Sequence, residues 1–131
     1  MKIIIINGSH RKNGATALIL HEMYQKLETY PNVEIQFYTV ADLNLQYCIG
    51  CCKCYKNGTC IFNDEIEKLS EDIETADGII IDSPTYANNV SGQMKVIIDR
   101  GHFVIEQLLF GKYALSVQHM RITAERILLE Y

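Results

Sequence analysis

The sequence has no block of basic residues, no basic amphipathic helix and no long apolar run. Its 131 residues carry a net charge of -4. Without a basic surface, neither nucleic acid nor a membrane surface is expected as a partner. The apolar run Ile3–Ile6 is too short for a signal-peptide core, and no small-residue cleavage site follows it. We therefore predict a cytoplasmic protein.

Several familiar catalytic motifs are also missing. Gly-x-Ser-x-Gly, which marks the nucleophile of many hydrolases, does not occur. Neither does a Walker A loop nor the dinucleotide turn Gly-x-Gly-x-x-Gly. The four histidines have no spacing that suits a shared metal ion, so we expect them on the surface or in packing.

What is present fits one α/β domain over residues 1–131, because no repeat or linker interrupts the chain. Apolar runs alternate with helical patterns, which is typical of a parallel sheet. Ile3–Asn7 and Gly78–Asp82 are nearly continuous β-branched runs, as expected of central strands. Val33–Val40 alternates and predicts an edge strand, and Tyr113–His119 predicts a fourth strand.

Four helices are predicted from apolar stripes at helical spacing. The stripes are Ala17, Leu20, Tyr24 and Leu27; Ile66, Leu69, Ile73 and Ala76; Met94, Ile97, Ile98 and Ile105; and Ala124, Ile127, Leu128 and Tyr131. Asp64-x-x-Glu67 predicts a capping box before the second helix, and Ser91 is expected to cap the third. Acidic positions 64, 65, 67, 71, 72 and 74 are expected on a solvated helix face.

This element order predicts a sheet of order 2-1-3-4. The chain then reverses direction between the first and third strands, which opens a ligand crevice at their carboxyl ends. The loops that leave those two strands are expected to face each other there. A cysteine-rich segment at about residues 41–62 leaves the second strand at the same edge. This stretch is called the cysteine segment.

The loop after the first strand suits a phosphate monoester. Gly8 and Gly14 permit a tight turn, and the next helix presents free backbone N–H groups. Hydrogen-bonding and basic side chains come from Ser9, Asn13, Thr16, Arg11 and Lys12. A plain strand-to-helix turn with a polar cap is the alternative interpretation.

The loop after the third strand suits a flat heterocycle. Pro84 fixes the backbone direction, Thr85–Asn89 offer consecutive N–H groups, and Tyr86 offers an aromatic wall. An ordinary structural turn with a packed tyrosine is the alternative.

Four cysteines follow the pattern Cys48-x2-Cys51-x2-Cys54-x5-Cys60. A cytosolic location and an odd total of five argue against disulfides. Such short spacings are typical of a 4Fe–4S cluster. Structural zinc sites usually combine two close ligands with a second close pair farther along the sequence. Zinc or reduced, metal-free thiols are the alternatives. Cys52 lies outside the pattern and is expected to be a free thiol.

At these motifs the chain resembles the NADPH-dependent FMN reductase and iron–sulfur flavoprotein group of flavodoxin-like proteins. The matching stretches are Gly8-Ser9-x-Arg11-Lys12-x-Gly14-x-Thr16, the cysteine pattern, and Ser83-Pro84-Thr85-Tyr86-x-Asn88-Asn89-Val90-Ser91-Gly92-Gln93-Met94-Lys95-x3-Asp99-Arg100. The resemblance runs from residue 1 to about residue 118. It implies a flavodoxin-like three-layer sandwich.

The resemblance further implies an FMN site and a 4Fe–4S site. Phosphate contacts would come from Ser9, Arg11, Lys12, Asn13, Gly14, Ala15 and Thr16, ring contacts from Pro84, Thr85, Tyr86, Ala87, Asn88 and Asn89, and cluster ligation from Cys48, Cys51, Cys54 and Cys60. Electrons would come from NAD(P)H or another small-molecule or protein donor. We assign no catalytic residue, because the flavin performs the chemistry. Family members commonly form homodimers or homotetramers.

The sequence departs from this family after the fourth strand. The usual glycine-rich loop is replaced by Gln118–Arg121, and the usual fifth strand and last helix are not expected. The fourth strand is then an exposed edge that invites pairing with another chain. We therefore expect an FMN-dependent oxidoreductase or electron-transfer flavoprotein. The alternative is a shortened, non-enzymatic remnant that binds FMN weakly or not at all.

Overall fold

Four parallel strands form one sheet in the computed structural model, which describes residues 1–108 and 112–119. The strands are β1 Lys2–Asn7, β2 Glu34–Thr39, β3 Gly78–Pro84 and β4 Tyr113–His119. Their order is β2-β1-β3-β4, which confirms the predicted flavodoxin-like arrangement. β2 is one residue shorter than predicted at each end, and β3 is two residues longer.

Four helices and one short 3-10 turn connect the strands in the part of the chain that the structure describes. They are α1 Ala15–Glu28, the 3-10 turn Val40–Asp42, α2 Lys53–Asn57, α3 Ile66–Thr75 and α4 Gly92–Leu108. The first three predicted helices are confirmed, and the short α2 was not predicted. The predicted terminal helix with Ala124 and Tyr131 lies outside the described residues. Among those residues, no helix has the length and apolarity needed to cross a bilayer.

The sheet is covered on both faces, and this explains the continuous apolar run of β1. Ile3 and Ile5 pack with Leu20 of α1 on one face. Ile4 and Ile6 pack on the other face, in a cluster with Leu69, Ile73, Met94 and Ile97 of α3 and α4. Burying each such side chain contributes about 1.5–3 kcal/mol. The three-layer arrangement follows from this alternation.

Two acidic side chains have partners that the sequence did not predict. Asp64 Oδ1 accepts the Ile66 N–H at 3.3 Å, but the N-cap of α3 is Glu65 and makes no side-chain cap bond, so the predicted capping box was wrong. Its other oxygen pairs with Arg100, and only 10% of the Asp64 side chain is exposed. Asp72 pairs with Lys2 at 2.9 Å and is 23% exposed. The expectation of a solvated acidic face was therefore wrong for these two residues.

β4 lies at the edge of the described sheet, as predicted. Tyr113 and Leu115 at this edge are 84% and 49% exposed. Exposed apolar side chains on an edge strand favour contact with another chain or another part of this protein.

Candidate functional site

The turns that leave β1 and β3 lie in direct contact. The Gly8 N–H donates to the Asp82 carbonyl at 2.7 Å. Ser91, at the start of α4, donates its hydroxyl to the Gly8 carbonyl at 2.5 Å and its N–H to Ser83 Oγ at 3.0 Å. The same hydroxyl accepts the Met94 N–H at 3.1 Å, so Ser91 caps α4 as predicted. The two candidate cofactor loops are thus brought together at the carboxyl edge of the sheet.

Only glycine permits this contact at position 8. A Cβ atom there would lie 2.9 Å from Ser83 Cβ and 3.0 Å from the Asp82 carbonyl oxygen. Both distances are too short for carbon contacts, and one partner is backbone that cannot rotate away. The close approach of the two turns therefore depends on Gly8.

The loop between β1 and α1 is held by its own polar groups. Asn7 Oδ1 accepts the Ser9 N–H at 2.9 Å, and Ser9 Oγ accepts the Arg11 N–H at 3.1 Å. The Gly14 N–H closes the loop on the Arg11 carbonyl at 3.2 Å. Ser9 and Thr16 are buried, whereas Arg11, Lys12 and Asn13 are exposed. The backbone of the loop is ordered, and its basic side chains are free to reach solvent.

The amino terminus of α1 is electrostatically uncompensated. Its N-cap is Gly14, which has no side chain to bond the first-turn N–H groups, and the first turn has no acidic residue. The Gly14 carbonyl accepts the Leu18 N–H, which is the first N–H of α1 to be bonded within the helix. The N–H groups of Ala15, Thr16 and Ala17, together with the helix dipole, make this end of α1 suited to an anion.

Lys12 lies in an arrangement that the sequence did not predict. Its Nζ is 2.7 Å from Asp42 Oδ1, in the turn after β2, with both side chains more than half exposed. Exposed pairs of this kind contribute little, about 0–1 kcal/mol. Lys12 therefore bridges two loops at the same edge of the sheet, and a phosphate would compete with Asp42 for it.

The turn after β3 is a tight hairpin. Tyr86 and Asn89 exchange backbone hydrogen bonds of 2.8 and 3.0 Å. We expected the five N–H groups of Thr85–Asn89 to be available to a ligand. Those of Tyr86 and Asn89 are used within the turn, whereas those of Thr85, Ala87 and Asn88 make no bond within it. Ala87 and Asn88 have positive φ angles of 48° and 61°. Tyr86 is 57% exposed, so its ring is open to a stacking partner.

The four cysteines of the pattern line one small cavity of about 30 Å³, together with Cys52. All five are free thiols. Asp99 and Arg100 of α4 also line the cavity. Within residues 1–108 and 112–119, no three metal-binding side chains are close enough together to hold a metal ion. The cysteines thus share one cavity without converging on a point, and ligation by them stays a prediction.

Arg100 is the site residue that sequence reasoning missed. Its side chain is fully buried, it pairs with Asp64, and its Nη2 donates to Cys60 Sγ at 3.2 Å. Its Nε–H has no hydrogen-bond partner in the described part of the chain. A buried, unpartnered donor beside four thiols suits a sulfur-rich anionic group, so this donor set fits an iron–sulfur cluster.

The Asp64–Arg100 pair holds both groups in their charged forms. Burial alone would raise the pKa of Asp64, but hydrogen bonds from Arg100 and from the Gln46 and Ile66 N–H groups outweigh it. The pKa of Asp64 is therefore below its usual value. Burial likewise opposes the charge on Arg100, but its bonds to Asp64 and Cys60 raise the pKa of Arg100 above the usual value.

A second, larger cavity of about 210 Å³ lies between the segment after β2 and the first turns of α4. Its lining residues are Val40, Leu43, Leu45, Tyr47, Gly92, Gln93 and Val96. Gln93 is within 3.4 Å of His10 in the loop after β1, and Tyr47 precedes Cys48. This largely apolar cavity therefore lies between the candidate phosphate loop and the cysteines.

The sequence pattern of NADPH-dependent FMN reductases matches residues 1–125, and the chain belongs to this family. An iron–sulfur flavoprotein of Clostridioides difficile (strain 630) is 44% identical over 119 residues, which are 89% of this chain and 53% of the relative. An iron–sulfur flavoprotein of Methanocaldococcus jannaschii is 38% identical over 100 residues, 76% of this chain and 51% of the relative. The chain spans about half the length of these relatives.

Solved structures share the fold at lower sequence identity. An apo NADH:FMN oxidoreductase (EMOB) aligns with a TM-score of 0.65 and 23% identity, over 99% of this chain and 64% of that chain. Smu.1420 from Streptococcus mutans UA159 aligns with a TM-score of 0.68 and 21% identity, over 97% of this chain and 73% of that chain. At these identities the similarity shows the fold.

Proposed function

We propose that this chain binds FMN at the carboxyl edge of its sheet and belongs to an FMN-dependent oxidoreductase. The observation that carries the proposal is the uncompensated amino terminus of α1, held against the turn after β3 by Gly8 and Ser91. Family membership and the iron–sulfur flavoprotein relatives support the same cofactor.

The phosphate of FMN would lie at the start of α1. Ser9, Thr16 and the first-turn N–H groups would donate hydrogen bonds to it, and Arg11 and Lys12 would supply positive charge. Lys12 would have to exchange Asp42 for the phosphate. Because the loop backbone is already bonded internally, little further ordering of the chain is needed on binding.

The flavin ring would lie along the turn at Pro84–Asn89. The N–H groups of Thr85, Ala87 and Asn88 are the donors not used within the hairpin, and Tyr86 offers an exposed aromatic face. Bound FMN would supply the redox chemistry, with electrons from reduced nicotinamide or a carrier protein. The protein's part is to position the ring, shield one face of it and tune it by hydrogen bonds.

Cys48, Cys51, Cys54 and Cys60 would hold a 4Fe–4S cluster, which would carry electrons one at a time. The shared cavity and the buried guanidinium of Arg100 support this part of the proposal. A homodimer or homotetramer and a cytoplasmic location stay predictions.

The test is titration of the purified 131-residue chain with FMN and with riboflavin, followed by flavin fluorescence. We expect FMN to bind more than about tenfold more tightly, because only FMN carries the phosphate that α1 would receive. Equal affinities would contradict the proposed phosphate site at α1, and failure to bind FMN would favour the non-enzymatic remnant.

A charge placed at the start of α1 sharpens this test. Ala15→Glu puts a carboxylate beside the expected phosphate, and we expect FMN affinity to fall about tenfold from like-charge repulsion. Gln25→Glu adds the same charge to an exposed position near the other end of α1 and is the matched control. It should leave FMN affinity within about twofold of the parent value.

A further inference from the structure

Arg100 of α4 contacts residues at both ends of the stretch from Gln46 to Asp64. Its Nη1 donates to the Gln46 carbonyl at 3.1 Å and pairs with the Asp64 carboxylate. Its Nη2 donates to Cys60 Sγ. The guanidinium also lies 5.2 Å from the centre of the Phe62 ring. One side chain of α4 therefore contacts the beginning and the end of the region that contains every cysteine.

Asp64 completes this closure. Its Oδ2 accepts the Gln46 N–H at 2.9 Å while the same carboxylate pairs with Arg100. Between Gln46 and Asp64 the described backbone has little regular structure beyond the single short helix α2. Cys48, Cys51 and Cys52 are exposed. Arg100 and Asp64 therefore bring together both ends of the stretch that carries the cysteines.

The hydrogen bonding of Arg100 is incomplete within the described residues. A fully buried cation is balanced by one carboxylate that is itself 10% exposed. Its Nε–H has no partner within the described residues, and the side chain lines the cysteine cavity. A buried donor without an acceptor has lost its hydrogen bonds to water and gained none in return, which is unfavourable. An anionic group in this cavity would receive both the free donor and the positive charge.

We propose that Arg100 is a positioning residue that holds the cysteine segment closed and raises the reduction potential of the 4Fe–4S cluster bound there. The inference depends on the cluster proposed above. Hydrogen bonds to sulfur and nearby net charge set the potential of such clusters. On reduction one electron enters and no bond forms or breaks, so the cluster becomes more negative. A buried guanidinium stabilises that reduced form more than the oxidised form.

The experiment uses the 131-residue chain, reconstituted anaerobically with ferrous iron and sulfide and titrated with dithionite under EPR observation. Arg100→Gln removes the charge and the fork of donors. We expect its equilibrium constant for one-electron reduction to fall about tenfold, a shift of about 59 mV to more negative potential. Arg100→Lys keeps the positive charge. The logarithm of its reduction constant should therefore change by less than half of the change in Arg100→Gln.

Lys56→Gln is the matched control, because it removes the same charge from an exposed position in α2 within the same segment. We expect its reduction constant to stay within about twofold of the parent value. An unchanged constant in Arg100→Gln, or an equal shift in Lys56→Gln, overturns the proposal. Failure of the parent chain to take up iron and sulfide also overturns it.

A second readout needs no cluster. In the metal-free chain, the backbone N–H groups of the cysteine segment should exchange with deuterium about tenfold faster in Arg100→Gln than in the parent or in Lys56→Gln, because the segment opens more often. If Arg100→Gln binds no cluster, its potential cannot be measured, and the proposal is tested by this rate in Arg100→Gln and by the reduction potential of Arg100→Lys. If neither differs from the parent value, the proposal is overturned. If the chain fails to bind FMN but the reduction potential of its cluster still depends on Arg100, only the proposed flavin site is refuted.

Discussion

The two candidate sites lie at the same edge of the sheet, but they are held in place in different ways. Around the turns after β1 and β3, Ser9, Ser83 and Ser91 are 4%, 3% and 1% exposed, and the hydroxyl of each is hydrogen-bonded to a backbone group. In the cysteine segment, Tyr47 and Ile49 are 77% and 64% exposed. The sheet itself positions the first site, whereas the stretch that carries the cysteines is fixed at its two ends by side-chain contacts, among them the buried Asp64–Arg100 pair.

This difference predicts unequal sensitivity to substitution. A site built on strand ends shares the cooperative stability of the core, so it is lost only when the core is strained. A site fixed by side chains can open locally while the sheet stays folded. Substitutions at Asp64, Gly8, Ser91 and Ala87 test this contrast.

Asp64→Ala should have the largest effect on the free energy of unfolding. It leaves the buried Arg100 without a carboxylate, and breaking a buried pair in this way costs about 3 kcal/mol or more. Urea unfolding at neutral pH measures the loss. Asp42→Ala removes the exposed partner of Lys12 and is the control, with an expected loss below about 1 kcal/mol. Equal losses would contradict the assigned role of Asp64.

The same pair gives a pH dependence of defined sign. The pKa of Asp64 is lower in the folded chain than in the unfolded chain. Its contribution is therefore complete above the unfolded value, near pH 4, and is lost as the pH falls through the folded value. The stability difference between the parent and Asp64→Ala should be constant above about pH 5 and should shrink on further acidification. A difference that grows on acidification would refute this assignment.

Gly8→Ala should disturb the first site directly. The added Cβ would meet Ser83 Cβ and the Asp82 carbonyl, and such overpacking costs about 1–3 kcal/mol. FMN affinity should fall with stability, because the two turns must separate. Gly92→Ala is the control, since no atom lies within 4 Å of its added Cβ. Its stability should change by less than about 0.5 kcal/mol.

Ser91→Ala removes the contact that joins the two turns to α4. Loss of the N-cap should lower the free energy of unfolding by about 1 kcal/mol. The Gly8 carbonyl also loses its hydroxyl donor. Ser70→Ala is the control, because the Ser70 hydroxyl bonds back to the Ile66 carbonyl within α3. Such a bond contributes little, so its unfolding energy should change by less than about 0.5 kcal/mol.

Ala87→Gly should be the smallest effect and should have the opposite sign. Ala87 has a positive φ of 48°, where a Cβ atom is strained and glycine is not. We expect a gain of about 0.5–1 kcal/mol in unfolding free energy. Ala17→Gly makes the same change inside α1 and should lose about 1 kcal/mol. A loss of stability in Ala87→Gly would show that the turn is not strained.

The sequence predicts the contact between the turns after β1 and β3, but not the contacts of Arg100, for the same physical reason. Parallel strands bring their carboxyl ends to one edge, so Ile3–Asn7 and Gly78–Asp82 were enough to place the two loops together. Arg100 reaches Asp64 and Gln46 across 36 and 54 residues of sequence. No periodicity reports a contact over such a separation, and the role of Arg100 was therefore missed.

α4 has a consequence for the distance between the two sites. Ser91 at its start is tied to the β1 loop, and Arg100 lies nine residues further on in the same helix. A helix rises 1.5 Å per residue, so the two contacts are separated by about 14 Å along a stiff rod. Such a rod fixes the distance between the candidate flavin site and the cysteines. One inserted residue would rotate the guanidinium by about 100° and turn it away from the sulfur atoms.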